Sequence, residues 1–455
     1  MPVKLSERER TLARLGATEA AAEISEGRLT SEELVEACLA RIAQTEEAVQ
    51  AWAFLDPEHA RAQAKAADAA RSAGQPLGAL HGVPVGVKDI IDTADMPTED
   101  GTALHAARRP VADATVVSLL RAAGAIILGK TVTTELAVYA PGKTRNPHDP
   151  ARTPGGSSSG SAAAVAAEMV PLALGTQTNG SVIRPASYCG VIGYKPTHGL
   201  ISRAGILRQS RVLDQVGLLA RSLPDAALLA QELMAYDAAD PDMRPRARPR
   251  LAEAVSRPLP FPPRFAFVKT PMWDEASPDT QAAFGELVES LGEQVREITL
   301  PTPFADGVGL HRVIHESDLA LSYAPEYERG AAQLSPALRE MIERGRRHLA
   351  VDYNRATARI GIYNGALDDV FHDVHAIVTP AATGEAPRGL GSTGSPVFCT
   401  LWTLCGLPAI TVPAMQGSDG LPIGVQLVGP RGDDARLLQC ARWLLEHVAG
   451  EGHAA

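Results

Sequence analysis

The chain has 455 residues and a formal net charge of −10, from 43 Lys and Arg against 53 Asp and Glu. That length buries a large core, as two ordinary domains or as one large α/β domain with a sizeable cleft. The acidic balance, without any basic stripe, excludes nucleic acid or an anionic membrane as the main partner, since both demand clustered positive charge.

The chain opens on MPVKLSERERTLARL, charged and Arg-rich with no apolar h-region. No run of about 18 uninterrupted apolar residues follows, so a cytoplasmic protein without a membrane span is expected. TSEELVEACLARIAQTE from Thr30 and HARAQAKAADAARSA from His59 predict helices by their Ala/Glu/Arg content and apolar spacing, the first capped by Thr30 or Ser31. After Gly78 short apolar runs bounded by Gly and Pro, GVPVGVK and AGAIILGK, alternate with helical stretches such as DATVVSLLRAAG. That alternation predicts a buried sheet with helices on its faces.

The stretch from Gly155 to Ser181 reads as a Ser/Gly-rich turn, a small-residue helix and a second Gly-Ser turn. A flexible linker would not continue into a run of Ala and Val able to pack as a helix, so the stretch predicts a catalytic frame. The Pro- and Arg-rich segment 240–263 is expected to be an irregular surface crossing. Strand-like FAFVKTP follows it, then helical segments through Gly365, then strand-like HAIVTPA, LPAITVPA and PIGVQLVG. Strand patterns on both sides of the helical insert favour one discontinuous α/β domain. Cys38, Cys189, Cys399, Cys405 and Cys440 are scattered, without metal-site spacing or disulfide density, and are expected to be reduced and buried.

Hydrolysis of an unactivated amide needs a nucleophile, a base, donors for the oxyanion and an acid for the leaving nitrogen. The 12 histidines form no local motif. Lys88, at the end of the apolar run GVPVGVK, would be partly desolvated, which lowers its pKa and makes its neutral form accessible as a base. Alone, it reads more simply as a strand-end lysine reaching solvent.

Several segments together carry a resemblance: GVPVGVKD around Lys88, NPHDPARTPGGSSSGSAAAVAA around Ser157, LGTQTNGS ending at Ser181, and CGVIGYKPTHGLIS after it. LDQVGLLARSLPDAALL, GLPAITVPA and GLPIGVQLVGP extend it to roughly residues 20–445. On these motifs the chain resembles the amidase signature family, whose hallmark is a Ser-Ser-Lys triad. The resemblance implies an α/β fold with a single large mixed β-sheet surrounded by helices. It implies one domain over 1–455, with a core at about 78–225 and 370–445 and a variable, cleft-covering region at about 240–370.

It further implies Ser181 as nucleophile, Ser157 as bridging serine after a cis peptide at Gly156-Ser157, and Lys88 as base. Backbone N–H groups of Thr178, Asn179, Gly180 and Ser181 would form the oxyanion hole. The expected reaction is cleavage of a small amide through an acyl-enzyme, without metal or cofactor. The partner expected is a small-molecule amide, with neither nucleic acid nor membrane, and a homodimer is left open.

The commoner family pattern is GTDxGGSIRxPA, whereas this chain reads GTQTNGSVIRPA. Gln177 replaces an Asp, Ile183 replaces an Arg, Arg184 follows it, and Asn179 stands where Gly is usual. The variant is similar to the malonamidase-type branch, in which the arginine three after the nucleophile meets a substrate carboxylate. Arg184 therefore has two readings: pairing bidentately with a small acidic amide, or bracing the turn through backbone carbonyls. Arg208 and Arg211 read either as an anion-binding rim or, more simply, as solvated arginines.

Competing readings are weaker. Gly156 to Gly160 satisfies G-x-S-x-G, with Ser158 as nucleophile, but that leaves Lys88 and Ser181 unexplained. No GK[ST] follows the glycines to make a P-loop. A glutamine-hydrolysing amidase component of a tRNA-dependent amidotransferase is the alternative function. Cys189 reads as a core thiol, and His311 with His315, lacking the HExxH glutamate, as a surface pair on a helix in the substrate-facing region.

Overall fold

The computed structural model describes residues 5–451. Its strands in chain order are β1 (Trp52–Leu55), β2 (Pro84–Lys88), β3 (Ile126–Thr131), β4 (Leu172–Gln177), β5 (Ile192–Lys195) and β6 (Gln215–Ala220). They continue with β7 (Phe265–Val268), β8 (Val295–Ile298), β9 (Ala376–Pro380), β10 (Ala409–Gln416) and β11 (Pro422–Val428). All belong to one mixed sheet in the order β1-β3-β2-β4-β6-β5-β10-β11-β9-β7-β8, with helices flanking it. The central strands are buried on both faces, which is why GVPVGVK and AGAIILGK read as continuous apolar runs rather than alternating ones. In β4, Leu172 and Leu174 join one core cluster while Ala173 joins the other, the period-2 signature of a strand between two layers.

Helices form where the sequence predicts them. The helix Ser31–Val49 is capped by Thr30, whose hydroxyl accepts from the Glu33 N–H while the Glu33 carboxylate accepts from the Thr30 N–H. The helix Pro57–Ser72 has Asp56 at its cap and Pro at its first position. No helix among the described residues is long and apolar enough to cross a membrane.

Three local readings need correction. The stretch between the two serine-bearing turns is not helix alone: Ser159–Ala166 is helical, and the strand β4 then returns the chain to the second turn. The small, weakly β-forming residues of LALGTQ conceal a central strand whose conformation is imposed by its neighbours. The Pro- and Arg-rich crossing contains a helix, Leu251–Ser256, held because Leu251 and Val255 are buried. The insert before Gly365 is not wholly helical either, since β8 pairs with β7 there.

The small-residue helix has a steric cause. A Cβ on Gly160 would lie 2.2 Å from the Ala51 carbonyl oxygen and 2.3 Å from the Val132 nitrogen, so helix and sheet backbones approach too closely for any side chain. Gly160→Ala is expected to lower stability by about 1–3 kcal/mol, measured by chemical denaturation; unchanged stability would contradict this packing.

Candidate active site

The sheet topology brings the distant motifs together. β2 and β4 are parallel neighbours, so their C-terminal ends, at Lys88 and Gln177, lie on the same edge of the sheet. That edge is where open α/β sheets place ligands. The turn containing Ser157 reaches it through the small-residue helix, with the Ser158 N–H donating to the Ser181 carbonyl at 3.3 Å.

Lys88 does not reach solvent. It is fully buried, and its Nζ donates to Ser157 Oγ at 2.7 Å and Thr176 Oγ1 at 2.8 Å. Burial drives its pKa well below the usual lysine value, with the negative charge of Asp214 opposing that shift. Two other buried lysines provide the contrast. Lys130 donates to the Ile91 carbonyl and to the Thr98 and Thr93 hydroxyls and lies 3.7 Å from the Asp89 carboxylate, and Lys195 donates to Gln215 Oε1 and the Leu407 carbonyl. Each of these amines thus faces a carbonyl, which only accepts, and Lys130 a carboxylate as well, so each is held as a donor. The partners of Lys88 are hydroxyls, which both donate and accept, so a neutral Lys88 can receive a proton from Ser157.

The serine run sorts by partner. Ser158 Oγ accepts from the Thr176 N–H and donates to the Thr176 carbonyl, Ser159 Oγ donates to the Gly155 carbonyl, and Ser161 Oγ donates to the Leu174 carbonyl. Ser157 alone of the four is bonded to Lys88, and the Gly156-Ser157 peptide is cis. Ser158 is fully buried and committed to backbone, which leaves it no freedom to attack.

Ser181 is partly exposed, and its side chain makes no hydrogen bond among the described residues. It lines a cavity of about 10 Å³ together with Tyr139, Asn179, Gly180 and Arg184. Tyr139, Asn179 and His315 are shared with an adjoining chamber of about 360 Å³, whose walls include His311 and Arg312 from the helix Gly307–Ser322 and Arg344 from Pro336–Gly345.

The departures from the common motif acquire roles. Gln177 Oε1 accepts from the N–H groups of Val182 and Ile183, at 2.8 and 3.0 Å, and its Nε2 donates to Thr403 Oγ1. It therefore satisfies orphan donors at the start of the helix Ile183–Cys189. Asn179 bridges Tyr139 Oη and Thr400 Oγ1. Arg184 is 2 % exposed; its Nη2 donates to the Gly156 carbonyl at 2.7 Å and to Thr393 Oγ1 at 3.1 Å, while Nε and Nη1 have no partner among the described residues. Arg211 is paired with Asp242 on the surface, and neither it nor Arg208 lines the cavity at Ser181.

His311 and His315 are not a surface pair. Both are buried, His311 Nε2 lying 2.9 Å from the Thr178 carbonyl and His315 Nε2 2.9 Å from Gln209 Oε1. A carbonyl only accepts, so His311 carries its proton on Nε2; burial lowers its pKa to about 4 and keeps it neutral. Their i, i+4 spacing was legible, but their burial comes from the helix packing onto the turn that carries Ser181. Thr176, Thr400 and Thr403 carried no sequence signal at all. The five cysteines are free and buried, and burial pushes the Cys38, Cys399, Cys405 and Cys440 thiols up to about 12.

A mixed sheet with a buried lysine, two serine turns and a cavity at their meeting point defines an amidohydrolase of the amidase signature class. The family profile described as Amidase matches residues 33–438, and the chain belongs to that family. It is 38% identical to the putative amidase AmiD of Mycobacterium tuberculosis (strain ATCC 25618 / H37Rv), covering 97% of this chain and 96% of that one. It is 36% identical to a glutamyl-tRNA(Gln) amidotransferase subunit from Chloroflexus aggregans, covering 91% and 93%. Among solved structures, the native peptide amidase from Stenotrophomonas maltophilia superposes with a TM-score of 0.83 at 28% identity, covering 96% of this chain and 97% of the other. A chain from a vestigial protein complex bearing on the origins of an s-triazine catabolic enzyme gives 0.89 at 29% identity, covering 95% and 98%. The protein is a hydrolase acting on amides.

Proposed function

We propose that the protein hydrolyses a small amide by a Ser-Ser-Lys mechanism, with Ser181 as nucleophile, Ser157 as relay and Lys88 as base. The observation that carries this reading is the buried Lys88 amine, bonded among the described residues only to the hydroxyls of Ser157 and Thr176. Neutral Lys88 takes the Ser157 proton as Ser157 takes that of Ser181, and the Ser181 oxygen bonds to the amide carbon. The oxyanion is held by N–H groups of the turn Thr178–Ser181. The C–N bond then breaks, the lysinium returns its proton through Ser157 to the leaving nitrogen, and water hydrolyses the acyl-enzyme to the acid and free Ser181.

The favoured substrate is a small amide carrying a carboxylate. Support comes from Arg184, buried beside Ser181 with two nitrogens unpartnered among the described residues, although its third nitrogen also braces the Gly156 carbonyl. The variable region 240–370 is assigned the shaping of the cleft, since its helices wall the 360 Å³ chamber. The test is a panel of propionamide, malonamate, benzamide, a ureide and glutamine, run on wild type and on Ser181→Ala. For Arg184→Lys, the loss on malonamate is expected to exceed that on propionamide by about 10-fold or more, the scale of one charge-assisted hydrogen-bond pair. Equal losses on both would remove the carboxylate assignment.

The similarity to an amidotransferase component supports a second reading, a glutamine-hydrolysing chain completed by partner proteins. Glutaminase activity that rises only with those partners and tRNA favours it; turnover of simple amides by the chain alone favours the first.

A further inference from the structure

Three successive carbonyls of the nucleophile turn face into the protein. That of Thr178 accepts from His311 Nε2 at 2.9 Å, that of Asn179 from Thr403 Oγ1 at 2.5 Å, and that of Gly180 from the Arg184 N–H at 3.0 Å. In a planar trans peptide the C=O and the following N–H point in opposite directions. Pinning these carbonyls therefore aims the N–H groups of Asn179, Gly180 and Ser181 away from the protein, and none of the three donates to an acceptor among the described residues. The bond from Arg184 is ordinary helix initiation. Those from His311 and Thr403 are not, since each donor comes from a helix remote in sequence.

Thr403 does two things only a hydroxyl can do: it accepts from Gln177 Nε2 at 3.0 Å and donates to the Asn179 carbonyl. Gln177 Oε1 in turn holds the N–H groups of Val182 and Ile183, so the strand end before the turn and the helix start after it converge on one hydroxyl. One helical turn earlier, Thr400 donates to Asn179 Oδ1 at 2.7 Å, and Asn179 Nδ2 reaches Tyr139. Resting on the reading of Ser181 as nucleophile, we propose that His311 and Thr403 are positioning residues that hold the oxyanion turn with its N–H groups toward the reacting carbonyl. Without them a peptide plane can rotate and present a carbonyl oxygen to the developing oxyanion, which repels it.

The test is the rate at which a fluorophosphonate probe labels Ser181, because its phosphoryl oxygen occupies the oxyanion site, read beside kcat and KM on propionamide. Thr403→Val keeps the shape and removes the hydroxyl. It is expected to slow labelling and kcat by about 10- to 100-fold, below the loss of a whole oxyanion donor, with KM within about twofold. Thr403→Ser is expected to restore the labelling rate to within about threefold, and His311→Leu to reproduce the defect where His311→Gln, which retains a donor, does not. Wild-type labelling rates in both Thr403→Val and His311→Leu would overturn the proposal, as would a loss in Thr403→Val that Thr403→Ser fails to rescue. Labelling that maps to a residue other than Ser181, or persists in Ser181→Ala, would instead overturn the underlying reading.

Discussion

Replacing Ser181 with alanine is expected to lower amide turnover by about 10⁴-fold or more, the scale seen when a serine nucleophile is removed from an acyl-transfer enzyme. The fold is expected to survive, because the Ser181 side chain is partly exposed and makes no hydrogen bond among the described residues. The measurement is ammonia release from the substrate panel, with thermal melting as the control. Ser158→Ala makes the informative comparison. Its hydroxyl joins the start of the helix to β4 through Thr176, so its loss is expected to cost stability and spare turnover. The opposite pattern, with Ser158→Ala inactive and Ser181→Ala active, would move the nucleophile to Ser158.

Lys88→Met is the second large effect. It removes the base while filling nearly the same volume, and kcat is expected to fall by about 10²- to 10⁴-fold, the range for general-base catalysis. The pH dependence carries the sign. Burial lowers the Lys88 pKa, so the neutral, proton-accepting form is populated at lower pH than for a free lysine, and activity is lost as pH falls through that pKa. In Lys88→Met this acid limb is expected to disappear, the residual rate rising with hydroxide instead. An amine buried among neutral hydroxyls is costly to hold, so the variant is expected to keep or raise the melting temperature while losing activity. A Lys88→Met protein with a normal rate and an unchanged acid limb would exclude Lys88 as the base.

Much of the site was legible because its motifs are local. GVPVGVK reads as a buried strand ending in lysine, and β2 matches it. The serine-bearing turns are recognisable because Gly and Ser at close spacing are needed where a backbone turns sharply beside a packed helix. The substitutions Gln177, Asn179 and Arg184 were equally visible as departures. Their consequences were not, because each depends on an atom brought from elsewhere: Gln177 on Thr403, Asn179 on Thr400 and Tyr139, Arg184 on Thr393. β4 was concealed for a related reason, its strand conformation coming from pairing with β2 and β6 rather than from its own residues.

What the sequence by itself determined is the set of candidate groups and their local settings: a lysine on a buried strand, serines on two turns, and a frame of small residues allowing close approach. The tertiary structure decided which hydroxyl each donor meets and which way the peptide groups of the turn face. Thr403, 224 residues from Asn179 in the chain, meets its carbonyl only because a helix packs over the sheet edge. Hydrogen bonds act over about 3 Å in space whatever the separation in sequence, so direction and partner are properties of the folded site.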